Sequence, residues 1–270
     1  MRVLVAALLL CAAGAAGVAA QTLPQGVREV TILEGWRQPD GSRMAAVAIR
    51  LAPGWHTYWR VPGDAGIPPS FDWSGSRNLA DVAYEWPHPE IFEADGLRTL
   101  GYAGMLVLPV RLTPKDPGAP LDLALEASFG VCSDICVPAD AAARARIAPD
   151  APDGGRPAIE AALAARARTA TEAGVVGATC GLAPATGGIE VEARVTFADA
   201  PAPGQVAVVE SDQPDVWIGS AESETRGRTV VLRAPVEGAA AGPVIERRAL
   251  RLTVLDDSRA VEIEGCTAPG

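Results

Sequence analysis

The residues best suited to chemistry are two cysteines in the stretch FGVCSDICVPAD, residues 129–140. Cys132 and Cys136 have three residues between them, and a proline follows closely. The spacing is wider than in the thioredoxin-type Cys-x-x-Cys pair, and no neighbouring residues complete a metal site. The pair is therefore either a static clip across a turn or a dithiol capable of thiol–disulfide exchange.

A pair that exchanges electrons has three physical requirements. One sulfur must be reachable, its thiolate must form near neutral pH, and its partner must resolve a mixed disulfide quickly. Asp134 lies between the cysteines and tends to raise their pKa by like-charge repulsion. The tip holds no lysine or arginine, so the sequence does not identify a group that stabilises the thiolate. A short loop gains little chain-entropy stabilisation from a disulfide, which weakens the case for a purely structural clip.

The N-terminus predicts export to an oxidising compartment, where disulfides persist. Arg2 precedes a long apolar run that ends in a small-residue cleavage site at Ala20, so a signal peptide is expected over residues 1–20. Cys11 would be removed with this peptide. The remaining sequence holds no apolar run long enough to cross a bilayer as a helix.

Four cysteines remain after cleavage, and an even number indicates disulfides, with three possible pairings. The economical pairing joins Cys132 to Cys136 and Cys180 to Cys266. Closing the long loop between Cys180 and Cys266 would contribute about 4–5 kcal/mol in the chain-entropy treatment. We therefore expect this second pair to be a structural disulfide.

The rest of the composition argues against several classes of function. The formal net charge is −10 and Lys115 is the sole lysine, so no basic surface for nucleic acid is expected. Phosphate-binding loops, zinc-protease motifs and nucleophile elbows are absent from the sequence. With two histidines, His56 and His88, and few methionines, a copper or zinc site is poorly supplied, so no metal or cofactor is predicted.

Short segments of alternating apolar and polar residues predict an all-β protein with two sandwiches. We place the first domain at residues 21–150, a linker with a short helix at 151–174, and the second sandwich at 175–270. Residues 121–148 alternate on both sides of the cysteines, which predicts a hairpin with the pair at its tip. A proline followed by helically spaced apolar residues predicts the linker helix over 157–173.

The aromatic residues and histidines allow two interpretations each. A cluster of aromatic side chains could form a ligand platform, but we favour a sandwich core under an irregular loop. The members of this cluster are Trp36, Trp55, Tyr58, Trp59, Phe71 and Trp73. His56 lies among them and is expected to be a packed, hydrogen-bonded residue rather than a ligand. His88 is expected in a loop, although it could accept a proton near a thiol.

Three segments, in this order and spacing, resemble a known family. They are GWHTYWRVPGDAGIPPSFDW, YEWPHPEIFEADGLRTLGYAGMLVLPVRL and FGVCSDICVPAD. Together they resemble the periplasmic N-terminal domain of the DsbD family of transmembrane disulfide reductases, and most closely that of ScsB, a relative associated with suppression of copper sensitivity. The resemblance is good over residues 24–150 and weaker through the second domain.

The resemblance implies an immunoglobulin-like sandwich fold, thiol–disulfide exchange and roles for individual residues. It implies that Cys136 is the attacking sulfur and Cys132 the resolving one. It also implies an aromatic cap loop before the segment GYAGMLVLPV, with Phe92 as the cap residue. The acids beside this cap position are Glu90, Glu93 and Asp95.

The resemblance further implies periplasmic partners. A thioredoxin-like or membrane-embedded disulfide reductase would supply electrons, and oxidised periplasmic proteins would be the clients. The best-known form of the family spaces its cysteines more widely, so the closer pair is compatible with a different reduction potential. The sequence ends at Gly270 without a transmembrane region or a thioredoxin-like domain, so we expect the donor to be a separate protein.

Two other hypotheses stay open from the residues alone. The chain could be a non-enzymatic immunoglobulin-like binding or assembly module with two inert disulfides. Alternatively, the reduced pair of Cys132 and Cys136 could hold Cu(I), for which thiolates are suitable ligands, although support from methionine or histidine is sparse. The sequence does not specify the oligomeric state.

Overall fold

The computed structural model describes residues 23–185, 188–237 and 245–270. The predicted signal peptide and Cys11 lie outside these ranges. The described secondary structure is almost entirely β-strand, so the predicted all-β fold class is confirmed. Within these ranges, no helix has both the length and the apolar character that crossing a membrane would require.

The N-terminal half of the chain forms two sheets from ten strands, which we call the N-terminal sandwich. The strands are β1 (Val27–Arg37), β2 (Arg43–Leu51), β3 (His56–Gly63), β4 (Ser70–Asp72), β5 (Leu79–Tyr84), β6 (Glu90–Ala94), β7 (Leu97–Ala103), β8 (Met105–Pro114), β9 (Leu121–Cys132) and β10 (Cys136–Ile147). One sheet has the order β1-β2-β8-β5, and the other has the order β10-β9-β3-β7-β6 with β4 paired to β9.

Alternation of apolar residues explains the core of this sandwich. Side chains of a strand point to opposite faces in turn, so every second residue of β9 faces inward. The buried residues of β9 include Leu121, Leu123, Leu125, Ala127 and Phe129. Burial of one such leucine or phenylalanine contributes roughly 1.5–3 kcal/mol. The alternation therefore fixes which face of the cysteine hairpin packs against the opposite sheet.

Most of the aromatic cluster packs in or around this core. Tyr58 and Trp59 are 1% and 2% exposed, and Trp73 is also buried. Trp36 instead carries the guanidinium of Arg156 over its ring at 4.1 Å, beside the linker helix. The structure thus favours core packing over a ligand platform for these side chains.

The linker helix, α1, is shorter than predicted and spans Arg156–Ala164. Its buried residues are Ile159 and Ala162, and Leu163 packs against the same apolar cluster as Ile159. The prediction of a helix over 157–173 was therefore wrong in its second half. There, Arg168–Thr169 forms the short strand β11, which pairs in parallel with a strand of the C-terminal half. Sheet pairing outweighs the modest helix propensity of this threonine-containing segment.

The C-terminal half forms two further sheets, which we call the C-terminal sandwich. Its strands are β11 (Arg168–Thr169), β12 (Val175–Ala185), β13 (Gly188–Phe197), β14 (Val206–Ser211), β15 (Trp217–Ile218), β16 (Glu222–Arg226), β17 (Thr229–Glu237), β18 (Leu250–Asp256) and β19 (Arg259–Glu264), with a 3-10 turn at Arg247–Ala249. The sheet orders are β11-β19-β18-β14 and β12-β13-β17-β15, with β16 paired to β17. The exact division into folding domains stays a prediction.

The described residues form two disulfides, Cys132–Cys136 and Cys180–Cys266, as the favoured pairing predicted. Cys132–Cys136 joins residues 4 apart in sequence, whereas Cys180–Cys266 joins residues 86 apart. Cys180 lies in β12 and is 1% exposed. Its carbonyl also accepts a hydrogen bond from Arg247 Nε at 2.8 Å, so the long-range disulfide is embedded in the C-terminal sandwich.

We predict that the two disulfides contribute unequally to stability. Replacing Cys180 and Cys266 together by alanine should lower the free energy of unfolding by about 4–5 kcal/mol, and replacing Cys132 and Cys136 by about 2 kcal/mol, because loop-closure entropy grows with loop length. Urea unfolding followed by circular dichroism measures both values. Equal losses, or a larger loss for Cys132 and Cys136, would contradict this ranking.

Candidate redox site

The hairpin of β9 and β10 presents the Cys132–Cys136 disulfide at its tip. Cys132 ends β9 and Cys136 begins β10, and the two Cα atoms are 4.1 Å apart. Cys132 is only 7% exposed. Cys136 is exposed, as are the three residues between the cysteines, which end at Ile135. Cys136 is therefore the cysteine more accessible to a partner protein.

Strand β3 lies beside β9 and brings two aromatic side chains to the disulfide. His56 pairs with Cys132 across the two strands. The Thr57 hydroxyl donates a hydrogen bond to the Gly130 carbonyl at 2.8 Å, which ties β3 to the end of β9. A Cβ atom at position 130 would lie 2.7 Å from the ring of Tyr58. The glycine therefore allows the tyrosine to approach the hairpin closely.

Tyr58 makes a polar side-chain contact to the exposed cysteine. Its hydroxyl donates a hydrogen bond to Cys136 Sγ at 3.0 Å. Burial raises the pKa of Tyr58 above its ordinary value, so the phenol keeps its proton at neutral pH. A donor held at this distance favours the negatively charged form of the sulfur after the disulfide opens. Tyr58 thus supplies a thiolate-stabilising group that the hairpin tip itself lacks.

His56 connects the hairpin to the predicted cap residue. Its ring stacks on Phe92 with a centroid distance of 4.4 Å and contacts Tyr58 edge-on at 5.5 Å. Burial lowers the pKa of His56, and the carboxylate of Glu90 opposes this effect. The imidazole is therefore uncharged at neutral pH and packs as an aromatic ring. Phe92 reaches the redox site through this stack.

The predicted cap loop is a regular β-hairpin formed by β6 and β7, which we call the cap hairpin. Asp95 and Gly96 occupy its two-residue turn with φ values of 52° and 79°. An Asp-Gly pair is well suited to positive φ at both positions, which explains why the segment forms a hairpin rather than an irregular loop. Asp95 therefore serves the turn.

The other two predicted acids have partners within the cap hairpin. Glu90 accepts a hydrogen bond from the backbone N–H of Ala103 at 3.2 Å. Glu93 forms an ion pair with Arg98 at 3.0 Å. Of these acids, Glu90 is the one whose charge acts on the His56 imidazole, where it favours the protonated form.

Sequence reasoning did not assign His56 and Tyr58 to this site. Their local signal is the alternation His56-Thr57-Tyr58, which puts the histidine and the tyrosine on one face of a strand. The pairing of that strand with the cysteine hairpin is a contact between residues distant in sequence. Local spacing therefore could not reveal that Tyr58 reaches Cys136.

The remaining candidates lie elsewhere. His88 lies between β5 and β6 and contacts the residue after α1: its backbone N–H donates to the Ala165 carbonyl at 2.8 Å, and its Nδ1 lies 3.0 Å from the same oxygen. Among the described residues, no three His, Cys, Asp or Glu side chains are grouped so that they could hold a metal ion.

Comparison with known proteins connects this geometry to a family. Residues 29–146 match the family described as the N-terminal domain of the thiol:disulfide interchange protein DsbD. This segment, less than half of the chain, is therefore similar to the N-terminal domain of a thiol:disulfide interchange protein. It contains the cysteine hairpin, Tyr58 and the cap hairpin. Among curated proteins, no sequence matches this chain.

The fold extends beyond that segment. The crystal structure of the N-terminal periplasmic domain of ScsB from Proteus mirabilis is similar to this chain with a TM-score of 0.66. The two sequences are 20% identical, and the similarity covers 89% of this chain and 92% of the ScsB domain. The likeness supports the predicted immunoglobulin-like all-β fold across both sandwiches.

We predict that Tyr58→Phe raises the thiol pKa of Cys136 by about one unit, because the variant loses a hydrogen bond that favours the thiolate. The pH dependence of alkylation by iodoacetamide, measured in a Cys132→Ser background, reports this pKa for the single free thiol of the hairpin.

Tyr84→Phe is the matched control. The Tyr84 hydroxyl accepts a hydrogen bond from Trp73 Nε1 at 3.0 Å, so this variant also loses a tyrosine hydroxyl, but not one bonded to sulfur. The Cys136 pKa should be unchanged in it. If Tyr58→Phe shifts the pKa no more than Tyr84→Phe does, the hydrogen bond has no role in stabilising the thiolate.

Proposed function

We propose that this protein passes reducing equivalents by thiol–disulfide exchange through the Cys132–Cys136 pair. The observation that carries the proposal is the accessible disulfide at a hairpin tip with a buried tyrosine hydroxyl 3.0 Å from Cys136 Sγ. A disulfide with a purely structural role does not require a hydrogen-bond donor next to its exposed sulfur. The match of residues 29–146 to an interchange family supports the same function.

In the first half-reaction, a thiolate of a donor dithiol attacks Cys136 Sγ. The disulfide breaks, and Cys132 leaves as a thiolate that takes up a proton. The second thiol of the donor loses its proton and attacks the donor sulfur of the mixed disulfide, which releases Cys136 as a thiolate. The donor dithiol is oxidised to a disulfide and this protein is reduced, with two electrons transferred in total.

In the second half-reaction, the Cys136 thiolate attacks the disulfide of a client protein. One client sulfur leaves as a thiolate and takes up a proton. Cys132 then loses its proton and attacks Cys136 Sγ in the mixed disulfide, which restores the Cys132–Cys136 bond and releases the second client sulfur as a thiolate that is protonated in turn. Two features support Cys136 as the attacking sulfur: its exposure and the Tyr58 hydroxyl beside it. The burial of Cys132 suits the resolving role.

Phe92 acts as a cap in this proposal. The stack of Phe92 on His56 puts an aromatic pair beside Cys132, on the side of the cap hairpin. A partner sulfur must approach the disulfide in line with the bond that breaks, so movement of the cap hairpin would widen that approach. The cap therefore limits reaction with small thiols and yields to a docked protein partner.

The expected partners follow from the chemistry and from the fold. The donor is a thioredoxin-like protein or a membrane-embedded disulfide reductase, and the clients are oxidised proteins of the periplasm. The similar ScsB domain is a periplasmic domain, which supports the same compartment for this chain. No metal or other cofactor is required, since the two sulfurs carry the electrons.

We predict that Cys132→Ser traps mixed disulfides, because this variant keeps the attacking sulfur but lacks the resolving one. The reduced variant is incubated with oxidised thioredoxin or a periplasmic extract, and adducts are resolved by non-reducing electrophoresis and mass spectrometry. Cys136→Ser should yield far less adduct. The variant Cys180→Ala/Cys266→Ala is the control and should trap nothing. More adduct with Cys136→Ser than with Cys132→Ser would reverse the assigned roles.

We predict that Phe92→Ala accelerates reduction of the Cys132–Cys136 bond by dithiothreitol several-fold, because it removes the aromatic cover from His56. Phe71→Ala is a matched control, since Phe71 stacks on Tyr84 and not on His56. Quenched-flow alkylation with mass spectrometry measures both rates. Equal rates in the two variants would show that Phe92 does not shield the disulfide.

A further inference from the structure

A side chain of the N-terminal sandwich is held by two carboxylates of the C-terminal sandwich. Arg60, in β3, donates two hydrogen bonds to Glu210, from Nε to Oε1 at 2.9 Å and from Nη2 to Oε2 at 2.8 Å. Arg60 Nη2 also lies 2.5 Å from a carboxylate oxygen of Glu262. The two acids stand on β14 and β19. This cluster is the main charged contact that the described residues make between the two sandwiches.

The cluster is largely shielded from solvent, and it restricts the position of the Arg60 side chain. The side chains of Arg60 and Glu210 are each 17% exposed, and that of Glu262 is 25% exposed. A shielded ion pair gains little net stability, because desolvation offsets the Coulomb attraction, but a bidentate arginine–carboxylate pair fixes position and orientation. The expected result of this contact is therefore a fixed position for Arg60 rather than a large gain in stability.

The position of Arg60 matters because of what else β3 carries. Tyr58 precedes Arg60 by two residues on the same strand. Trp59, between them, is 2% exposed, and the Arg60 guanidinium lies over its ring at 4.3 Å. Between Tyr58 and Gly63 the pairing of β3 with β7 is irregular, so the neighbouring strand constrains this stretch less than a continuous ladder would. The ion pairs supply a constraint just where the ladder is interrupted.

Apolar contacts and a second polar contact connect the same parts of the molecule. Val206 and Val208 of β14 belong to the apolar core of the N-terminal sandwich. Asp64, just after β3, accepts hydrogen bonds from the Ser220 side chain and from the Arg98 backbone N–H, the latter at 2.9 Å. Ser220 belongs to the C-terminal sandwich and Arg98 to the cap hairpin. The C-terminal half therefore contacts β3 directly, through Arg60, and is linked to the cap hairpin through Asp64.

We propose that Arg60 is a positioning residue and that the C-terminal sandwich, through Glu210 and Glu262, holds β3 so that the Tyr58 hydroxyl reaches Cys136 Sγ. The inference rests on the proposed exchange function and assigns the C-terminal sandwich a part in it. Without this support the end of β3 shifts, the hydrogen bond lengthens, and the Cys136 thiolate becomes less stable.

The test is the double variant Arg60→Met/Glu210→Gln, again in a Cys132→Ser background. It removes one positive and one negative charge together, so its direct electrostatic effect on a thiol is small. Glu262 keeps a cationic neighbour in Arg251 Nε at 3.7 Å, so no carboxylate is left isolated. The variant Arg194→Met/Glu192→Gln is the matched control, since it removes a 2.7 Å ion pair within the C-terminal sandwich. Circular dichroism establishes that each variant is folded.

The pH profile of Cys136 alkylation is the readout, because loss of stability alone does not move a thiol pKa. The expected shift is upward by about half a unit, which lowers the thiolate fraction below the pKa about threefold. The same change made in a Tyr58→Phe background should cause no further shift, since Arg60 acts through Tyr58. The control variant should leave the pKa unchanged.

A folded double variant with an unchanged or lower Cys136 pKa would overturn the positioning role, as would an equal shift in the Tyr58→Phe background. If the double variant does not fold, Glu210→Gln alone is measured against the same criteria with a smaller expected shift in the same direction. Trapping of mixed disulfides by Cys132→Ser tests the exchange function separately, so failure of the positioning role leaves that result intact.

Discussion

The redox site depends on the antiparallel register of β9 and β10. This register puts Cys132 opposite Cys136, and the alternation of side chains along the hairpin packs one of its faces into the core. The same register leaves β9 free to pair with β3 at its cysteine end, which is how His56 comes to lie across from Cys132. Because a one-residue slip would turn every side chain to the opposite face, the core that fixes the register also fixes the chemistry.

Three elements surround the disulfide, and each contributes a different physical property to the site. The hairpin tip provides access, since its three central residues are exposed and belong to no core. β3 provides a hydrogen-bond donor whose own proton is retained because it is buried. In the proposed function, the cap hairpin provides cover through the stacked rings of Phe92 and His56. An acidic residue at the tip, Asp134, opposes thiolate formation by repulsion, so a donor from outside the tip is what the site needs.

Much of this arrangement could be predicted from the sequence. The rest depends on contacts between residues that are distant along the chain, and local patterns do not reveal such contacts. Period-2 alternation over 121–148 was enough to predict the hairpin and the position of the cysteines, and the observed strands β9 and β10 confirm it. The family resemblance predicted Phe92 as the cap residue; its ring stacks on His56, which pairs with Cys132, and the cap role itself stays a prediction. The role of Tyr58 was not predicted, because Tyr58 and Cys136 are 78 residues apart along the chain and meet only through strand pairing. The linker helix was predicted too long, because the residues after it form β11 and pair with β19, a long-range contact that the local sequence does not reveal.

The reduction potential of the Cys132–Cys136 bond tests the central claim most directly. The protein is equilibrated with dithiol–disulfide buffers of known potential, and mass spectrometry after alkylation reads the two disulfides separately. The exchange function predicts a value above about −300 mV, within reach of thioredoxin-like donors, with Cys180–Cys266 still oxidised at that potential. A value below about −300 mV for Cys132–Cys136 would contradict the account, because a bond so resistant to reduction would serve only as a structural clip.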